Sequence, residues 1–413
     1  MTARYSRIVD ARPKGHHAMS PATSRGRARW SLGALAALVL ACAVAWATAG
    51  DSHSDLEIYR FGVDTLWSGG DLYGALPLSE AGIPLLFIYP PFAALVLTPL
   101  AAVPWTGAVL LLFALGLAAL GITFYAITRS LWPSGDRRKA LLIASLAITS
   151  ALFLEPVRQT LGFGQINLLL MGLVAADCLL ARGRYRGIGV GLAAAIKLTP
   201  MAFLLFFLVR KDFRGALTAM GTFVAASAVA FAVAPEASAR YWFGGFAGAS
   251  GISGTSFHTN QTLQAVLARL GADSAKPWWL IATGVLLVLV TLTMYRSAVV
   301  PALLLNATFA LLISPTSWSH HWVWIAPALF TTAACAVLHR RSHRLALTLL
   351  AVTGIVATIF VAAPFRYFPA FDRPGQTWTT AQQWLGNCYV LAGLVFLAVS
   401  AVLALRKGPR CST

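Results

Sequence analysis

Long apolar stretches alternate with short polar and basic segments along most of the chain. A helix that crosses a bilayer needs about 20 mostly apolar residues. The pattern predicts twelve membrane-spanning helices, of which the fifth and sixth are short and form a broken or re-entrant pair around Pro200. The predicted spans are 30–50, 106–128, 140–156, 166–181, 187–199, 201–209, 215–234, 277–295, 298–314, 322–338, 344–363 and 386–405.

The composition agrees with a protein that lives in lipid. The 413 residues are 58% hydrophobic and 11% charged, whereas soluble domains carry about 25% charged residues. Five cysteines are present without a CxxC pair, and most fall inside apolar stretches, which argues against a disulfide framework or a metal site. The sequence therefore predicts an all-α polytopic membrane protein without a metal or another cofactor.

The basic residues predict the orientation of the chain in the membrane. Most of the 32 Lys and Arg residues fall in segments on the same side as the N-terminus, and cytoplasmic segments are enriched in these residues. We therefore expect both termini in the cytoplasm, as a disordered basic tail 1–29 and a tail 406–413. Because the net charge of +18 is scattered between apolar stretches, nucleic-acid binding is disfavoured.

Two outer loops are predicted, at residues 51–105 and 235–276. The acidic residues concentrate in the first of these loops, which gives it a character unlike the basic inner segments. Its residues 87–104 are apolar but contain four prolines, and proline breaks a lipid-exposed helix. We predict that this stretch is a re-entrant or interfacial element packed against the bundle.

Ionisable and polar residues form four groups near the outer ends of the predicted spans, where such residues are functional candidates. In the first group, Asp55 could act as a general base and Arg60 could hold a phosphate. A solvated acidic loop is the alternative. The second group covers residues 155–167, and its alternative is a Glu155–Arg158 surface pair worth about 0–1 kcal/mol.

The third group centres on Lys197, beside a helix break at Pro200 that would face a cavity. This lysine could neutralise a lipid phosphate, whereas snorkelling to the interface is the alternative. The fourth group contains His320 and His321, either of which could serve as acid, base or phosphate partner. Its alternative is an interfacial aromatic belt. Since all four groups fall on one side of the predicted topology, we expect one extracytoplasmic site.

Short motifs recur in a family's order over about residues 51–330. They are Asp55-Leu-Glu-Ile-Tyr59, Asp71-Leu-Tyr73, Phe87-Ile-Tyr89-Pro90-Pro91, Phe163-Gly-Gln165-Ile-Asn167, Lys197-Leu-Thr199-Pro200, Asn260-Gln261 and Ser314-Pro-Thr-Ser-Trp-Ser-His320-His321-Trp-Val-Trp324. Together these motifs resemble glycosyltransferase family 87 of the GT-C superfamily. The resemblance implies a GT-C-like bundle over residues 30–405, with an active site near the outer leaflet.

The resemblance also implies a reaction. Actinobacterial members of the family include polyprenol-phosphate-mannose-dependent α-(1→2)-mannosyltransferases that act on phosphatidylinositol mannosides, lipomannan and lipoarabinomannan. Asp55 matches the position of the base, which would deprotonate the 2-hydroxyl of an acceptor mannose so that it attacks the anomeric carbon with inversion. Details around Gln165-Ile-Asn167, Asp177-Cys178 and Phe206–Asp212 favour the lipomannan-branching type over the phosphatidylinositol-mannoside type.

Other residues of the motifs are expected to contact the donor or the acceptor. Arg158, Lys197 or a histidine would offset the charge of the leaving phosphate. The residues expected to bind substrate are Tyr59, Arg60, Tyr89, Glu155, Arg158, Gln165, Asn167, Lys197, Asn260, Gln261, His320 and His321. The expected partners are polyprenyl-phosphate-mannose, a lipid-linked mannoside acceptor and membrane lipids.

Two alternatives to this function stay open. The nearer one is an arabinofuranosyltransferase or another polyprenyl-phosphate-sugar transferase. The other is a lipid or sugar transporter, for which inverted repeats and charges at the membrane midplane would be typical. No repeat is visible in the sequence and the charges gather at one face, so the transporter is disfavoured.

Overall fold

The computed structural model describes residues 53–80, 82, 84, 86–244, 255–271, 275–373 and 375–406, together with the isolated positions 39, 42 and 43. Over these residues the chain is helical, with seventeen α-helices and two isolated β-bridges. The predicted tail 1–29, nearly all of the predicted span 30–50 and the tail after Arg406 lie outside the described residues.

The loop predicted at residues 51–105 forms two short helices that pack against each other, α1 (Ser54–Trp67) and α2 (Pro91–Ala102). Helix α2 continues through Pro99, and Pro90 and Pro104 stand at the N-cap positions of α2 and the next helix. With 12 residues, α2 is about 18 Å long, too short to cross a hydrocarbon core of about 30 Å. This agrees with an element packed against the bundle.

Fifteen further α-helices follow in chain order. They are α3 (Trp105–Leu131), α4 (Arg137–Ala151), α5 (Glu155–Gly162), α6 (Asn167–Leu179), α7 (Ile188–Ile196), α8 (Leu204–Val209), α9 (Phe213–Val233), α10 (Pro235–Phe243), α11 (Leu263–Arg269), α12 (Ala275–Arg296), α13 (Val299–Ile313), α14 (Ile325–Leu338), α15 (His343–Ala362), α16 (Thr380–Gly386) and α17 (Cys388–Arg406). The 3₁₀ segments are Gly183–Tyr185, Thr199–Phe203, Ser319–Trp324 and Pro364–Tyr367.

Six helical segments of the described chain are long and apolar enough to cross a membrane. They include α3, α9, α12 and α17, the segment Ser319–Leu338 that ends with α14, and the segment His343–Tyr367 that begins with α15. The pair α4 and α5 would make a seventh span. The chain is therefore a polytopic membrane protein, and the count of twelve stays a prediction.

Two breaks between helices lie next to prolines. The stretch predicted at 140–156 divides into α4 and α5, which bend by 83° relative to each other. Pro156 has no N–H to donate to a preceding turn, which is tolerated in the first turn of a helix, and α5 begins at Glu155, one residue before it. The predicted break around Pro200 is confirmed, because α7 ends at Ile196 and a 3₁₀ turn, Thr199–Phe203, leads into α8.

The bundle has an enclosed centre and an apolar outer surface. Eleven of the fifteen residues of α13 are buried, whereas α15 buries Phe360 alone. Helices α9 and α12 expose large apolar side chains such as Leu217 (73% exposed) and Val285 (62% exposed). Contiguous apolar faces of this kind are costly in water and suit lipid.

Candidate active site

The turn at residues 163–165 fixes the position of Asp55 in the first turn of α1. The backbone N–H groups of Asp55 and Leu56 donate to the carbonyl oxygen of Phe163 over 3.0 and 3.2 Å. The first N–H groups of a helix have no partner within it, and no side chain caps α1, so the turn acts as the cap. Gly164 has a left-handed φ of +65°, and a Cβ there would lie 2.8 Å from the Cβ of Leu56.

A network of three side chains surrounds the carboxylate of Asp55. The amide Nε2 of Gln165 donates to Asp55 Oδ1 over 2.7 Å and to the Tyr89 hydroxyl over 3.1 Å. The Tyr89 hydroxyl donates to the same Oδ1 over 3.4 Å. The Tyr59 hydroxyl donates to Gln165 Oε1, which also accepts the N–H of Ile166. Gln165 is therefore oriented by fixed partners and holds the carboxylate in one direction.

Only one oxygen of the Asp55 carboxylate takes part in this network. Both of its hydrogen bonds go to Oδ1, and no bond from the described residues goes to Oδ2. Burial raises the pKa of Asp55 to about 6, although the charge of Lys197 and the bond from Tyr89 lower it. A half-buried carboxylate with a free oxygen and a pKa just below neutrality suits a general base.

The neighbouring carboxylate and tyrosine of the first loop have supporting roles. Glu57 Oε1 accepts the backbone N–H of Glu80 over 3.0 Å, and the side chain of Glu57 is buried. The Tyr73 hydroxyl donates to the carbonyl oxygen of Tyr89 over 2.9 Å. These contacts fold the loop over α1 and keep the Tyr89 ring beside Asp55.

Lys197 forms a second polar cluster next to the first. It lies where α7 ends, and its Nζ donates to Asn167 Oδ1 over 3.0 Å and lies 3.3 Å from His321 Nε2. Its ammonium is also 5.5 Å from the centre of the Tyr89 ring, close enough for a cation–π contact. Tyr89 thus touches both clusters, which brings the base and the cation to one place.

A cavity of about 60 Å³ opens beside this cation. Its polar wall contains Lys197, His321 and Asn167, and its apolar wall includes Met171 and Leu311. A cavity of this size has room for water molecules. The predicted cavity at the helix break is confirmed, and it joins a cationic end to an apolar end.

Glu155 is held by protein groups and does not reach the cavity. Its Oε1 accepts Ser319 Oγ and Arg366 Nε, each over 2.8 Å, and its Oε2 accepts the Tyr389 hydroxyl over 3.0 Å. The residue is 1% exposed. The alternative of a Glu155–Arg158 surface pair is wrong, because Glu155 pairs with Arg366 instead.

Arg60 lies apart from the two clusters. Its Nη1 donates to the carbonyl oxygens of Leu100 and Val103 over 2.8 Å each. These groups end α2, where carbonyl oxygens lack a partner within the helix. Arg60 therefore caps α2 and ties it to α1.

Asn260 and Gln261 are fully buried and support the histidine segment from behind. Asn260 Oδ1 accepts the N–H of Ser317 over 3.0 Å, and the N–H of Gln261 donates to the carbonyl oxygen of Ser317 over 2.8 Å. The indole of Trp322 donates to the Gln261 carbonyl oxygen over 3.2 Å. Neither side chain lines the cavity.

His320 packs against neighbouring rings, and Arg158 has a buried nitrogen without a partner among the described residues. The His320 ring packs edge-on against His321 and Phe163, with ring centres 4.7 and 5.2 Å apart. The Nε of Arg158 is buried, and no described residue is its hydrogen-bond partner. Arg158 therefore remains a candidate for an anionic group of the substrate.

Three residues of the network around Glu155 are absent from the sequence-based site. They are Ser319, Arg366 and Tyr389. Ser319 lies inside the histidine motif, so its position was available from the sequence. Arg366 is separated from Glu155 by 211 positions and lies beyond the last of the motifs, which ends at Trp324.

An α-helical membrane bundle in which a carboxylate lies next to a cationic, apolar-walled cavity has the features of a membrane glycosyltransferase. The chain belongs to glycosyltransferase family 87, whose model matches residues 87–315. That match includes Tyr89, Gln165 and Lys197, whereas Asp55 and His321 lie outside it.

Named mycobacterial proteins are similar to the chain over most of its length. A polyprenol-phosphate-mannose-dependent alpha-(1-2)-phosphatidylinositol mannoside mannosyltransferase of Mycolicibacterium smegmatis is 33% identical over 378 residues, which are 85% of this chain and 84% of the relative. The protein of the same name in Mycobacterium tuberculosis is 34% identical over 91% of both chains. A pentamannoside mannosyltransferase of M. smegmatis is 33% identical over 84% of this chain and 85% of its own.

Proposed function

We propose that the protein transfers mannose from polyprenyl-phosphate-mannose to the 2-hydroxyl of a mannose on a phosphatidylinositol mannoside, or on the lipomannan built upon one. The observation that carries this proposal is the half-buried Asp55, held through one oxygen, beside a cavity with a cationic and an apolar end. The names of the mycobacterial relatives supply the donor, the linkage and the acceptor class.

Asp55 acts as the general base of the proposed reaction. Its free Oδ2 takes the proton of the acceptor 2-hydroxyl, and the oxygen of that hydroxyl forms a bond to the anomeric carbon of the donor mannose. The bond from that carbon to the phosphate oxygen breaks, and its electron pair leaves with polyprenyl phosphate. Attack opposite the leaving group inverts the anomeric configuration.

Lys197 and His321 stabilise the charge that develops on the leaving phosphate. Lys197 Nζ donates to Asn167 and lies 3.3 Å from His321 Nε2, and an ammonium has three donors, so one donor remains for a phosphate oxygen. A cation placed before the reaction lowers the energy of the charged transition state without rearrangement. Arg158 is a further candidate, because its buried Nε needs an acceptor.

The apolar wall of the cavity contacts the first isoprene units of the donor. Met171, Phe203 and Leu311 continue from the cationic end along the cavity. Burial of apolar surface contributes about 25 cal/mol per Å², which favours a prenyl chain over a water-soluble sugar nucleotide. Tyr59 and Gln165 orient the base in this scheme, and Glu155 supports the histidine segment.

A topology is part of the same proposal. Residues 30–405 form one GT-C-like domain of about twelve transmembrane helices, with both termini in the cytoplasm and the active site on the outer face. The excess of Lys and Arg in the segments assigned to the cytoplasm supports this orientation. Single-cysteine labelling of the loop at residues 68–80 and of the loop at residues 339–342 tests it.

A transfer assay with Asp55→Asn tests the proposed chemistry. The purified protein receives radiolabelled polyprenyl-phosphate-mannose and a phosphatidylinositol mannoside. Loss of a general base costs about 10²–10⁴ in rate, so we expect near-complete loss of transfer in a folded variant. Asp64→Asn is the matched control, because Asp64 is an exposed carboxylate on the same helix.

Each other outcome of this assay has a definite meaning. Transfer by Asp55→Asn at the wild-type rate would assign the base to another residue. Absence of mannose transfer by the wild-type protein would contradict the proposed donor, and a polyprenyl-phosphate-arabinose donor would be tried next. Lipid or sugar movement across vesicles without transfer would identify a transporter.

A further inference from the structure

The short 3₁₀ segment Ser319–Trp324 carries His321 to the cavity, and its shape depends on contacts from outside. It contains a non-helical residue, Trp322, and 3₁₀ geometry gives poorer internal hydrogen bonds than an α-helix. The carbonyl oxygen of His320 accepts Thr160 Oγ1 over 2.8 Å and Asn167 Nδ2 over 3.1 Å. These bonds fix the middle of the segment, but not its start.

The start of the segment is fixed by Glu155. Ser319 Oγ donates to Glu155 Oε1, and the same carboxylate accepts Arg366 Nε and the Tyr389 hydroxyl. Both carboxylate oxygens are therefore engaged, and a buried charge requires such compensation. If Arg366 is removed, Glu155 keeps a buried charge without its ionic partner, and its bond to Ser319 is no longer held in one geometry.

The aromatic side chains around Tyr389 reinforce this arrangement. The Tyr389 ring stacks on Phe360 with ring centres 3.8 Å apart and meets Phe365 edge-on at 5.0 Å. The same ring lies 5.9 Å from the Trp322 ring. Arg366 and Tyr389 therefore contact the histidine segment through Glu155, and Tyr389 also contacts it directly through Trp322.

We propose that Glu155, Arg366 and Tyr389 are positioning residues that set the histidine segment, so that His321 and Lys197 together face the phosphate of the donor lipid. This inference rests on the proposed function. It assigns a role to a part of the chain that follows both the family match at 87–315 and the motifs that carry the resemblance. It also changes the role of Glu155 from substrate contact to support.

Binding of polyprenyl phosphate to the purified full-length protein tests the proposal independently of sugar transfer. We expect Arg366→Met to weaken this binding about tenfold and to lower kcat about 10–100-fold, as small misplacements in an active site do. The KM for the mannoside acceptor should stay within about twofold, because the acceptor contacts Asp55 instead. Arg366→Lys should restore most of the binding.

A double-mutant cycle with His321→Ala separates positioning from a general loss of stability. If Arg366 acts through the histidine segment, Arg366→Met should have little further effect on phosphate binding once His321 is absent. Arg186→Met is the control, since Arg186 Nε makes a comparable ion pair with Asp212 Oδ2 at 2.5 Å elsewhere in the bundle. That variant should lose thermal stability but bind polyprenyl phosphate like the wild type.

Two results would overturn the positioning role. One is wild-type binding of polyprenyl phosphate by Arg366→Met and Glu155→Gln. The other is that Arg366→Met weakens polyprenyl phosphate binding by the same factor in the wild-type protein and in His321→Ala. If the wild-type protein binds polyprenyl phosphate but transfers no mannose, the proposed function fails while this cycle still decides the positioning role.

Discussion

Replacement of Gly164 by alanine should separate Asp55 from the amide that orients it. The added Cβ would lie 2.8 Å from the Cβ of Leu56, whereas carbon atoms prefer a separation of about 3.5–4.0 Å. The turn and α1 must therefore move apart by about 0.7–1.2 Å. The left-handed φ of +65° adds a backbone cost of about 1–2 kcal/mol for alanine.

The effect on the site follows from the bond between Gln165 and Asp55. Its length is 2.7 Å, so a displacement of this size lengthens it to about 3.4–3.9 Å, where a hydrogen bond is much weakened or lost. A misplacement of about 1 Å can cost about 10²-fold in rate. In the mannosyl-transfer assay we expect Gly164→Ala to reduce kcat by about this factor, while the protein still folds.

Two other glycines separate the causes of this effect. Gly183 has a similar φ of +58°, but a Cβ there would meet nothing within 4 Å. Gly183→Ala should therefore lose about 1 kcal/mol of stability and retain its kcat. Gly221 has an ordinary φ and open space, so Gly221→Ala is a neutral control. A kcat of Gly164→Ala equal to that of Gly183→Ala would refute the reasoning.

Two further predictions concern residues near the base. Because Asp55 must be ionised to accept a proton, kcat/KM should rise with pH around its pKa of about 6. The bond from Tyr89 lowers that pKa. Tyr89→Phe should therefore move the acid limb of the pH profile to higher pH. An acid limb that does not move would exclude Asp55 as the titrating base. Arg60→Met should lower the melting temperature, since charged hydrogen bonds contribute about 1.5–3 kcal/mol. The KM of this variant for the donor should stay within about twofold of the wild-type value. A large rise in the donor KM would indicate instead that Arg60 contacts the substrate.

The placement of the site residues on one face of the bundle could be predicted from the sequence, because it follows from the topology. Asp55, Gln165, Lys197 and His321 are far apart in the chain, but each falls at the outer end of a predicted span. Spans that alternate in direction bring their outer ends to one level. Alternation of apolar and polar segments therefore predicted that these residues lie on one face, but not which of them would meet or which atoms would bond.

The role of each residue depended on tertiary contacts that no local pattern contains. Arg60 caps α2 because that helix ends beside α1, and Glu155 pairs with Arg366, which is 211 positions away. Both pairings depend on the angle at which helices pack. The span predicted at 140–156 is divided into two helices in the structure, because a hydropathy pattern does not contain the effect of Pro156 on the helix.

The helices around the cavity are unusually short for a membrane protein. Helices α6 and α13 have 13 and 15 residues, or about 20 and 22 Å at 1.5 Å per residue, whereas the hydrocarbon layer is about 30 Å thick. In a bundle of this shape, long helices contact the lipid at the periphery, and the helices of the interior are shorter than the hydrocarbon layer is thick. Water and sugar head groups could then descend several ångströms below the surrounding membrane surface, so that a donor anchored in lipid and a glycan approaching from water would meet without either one leaving its own medium.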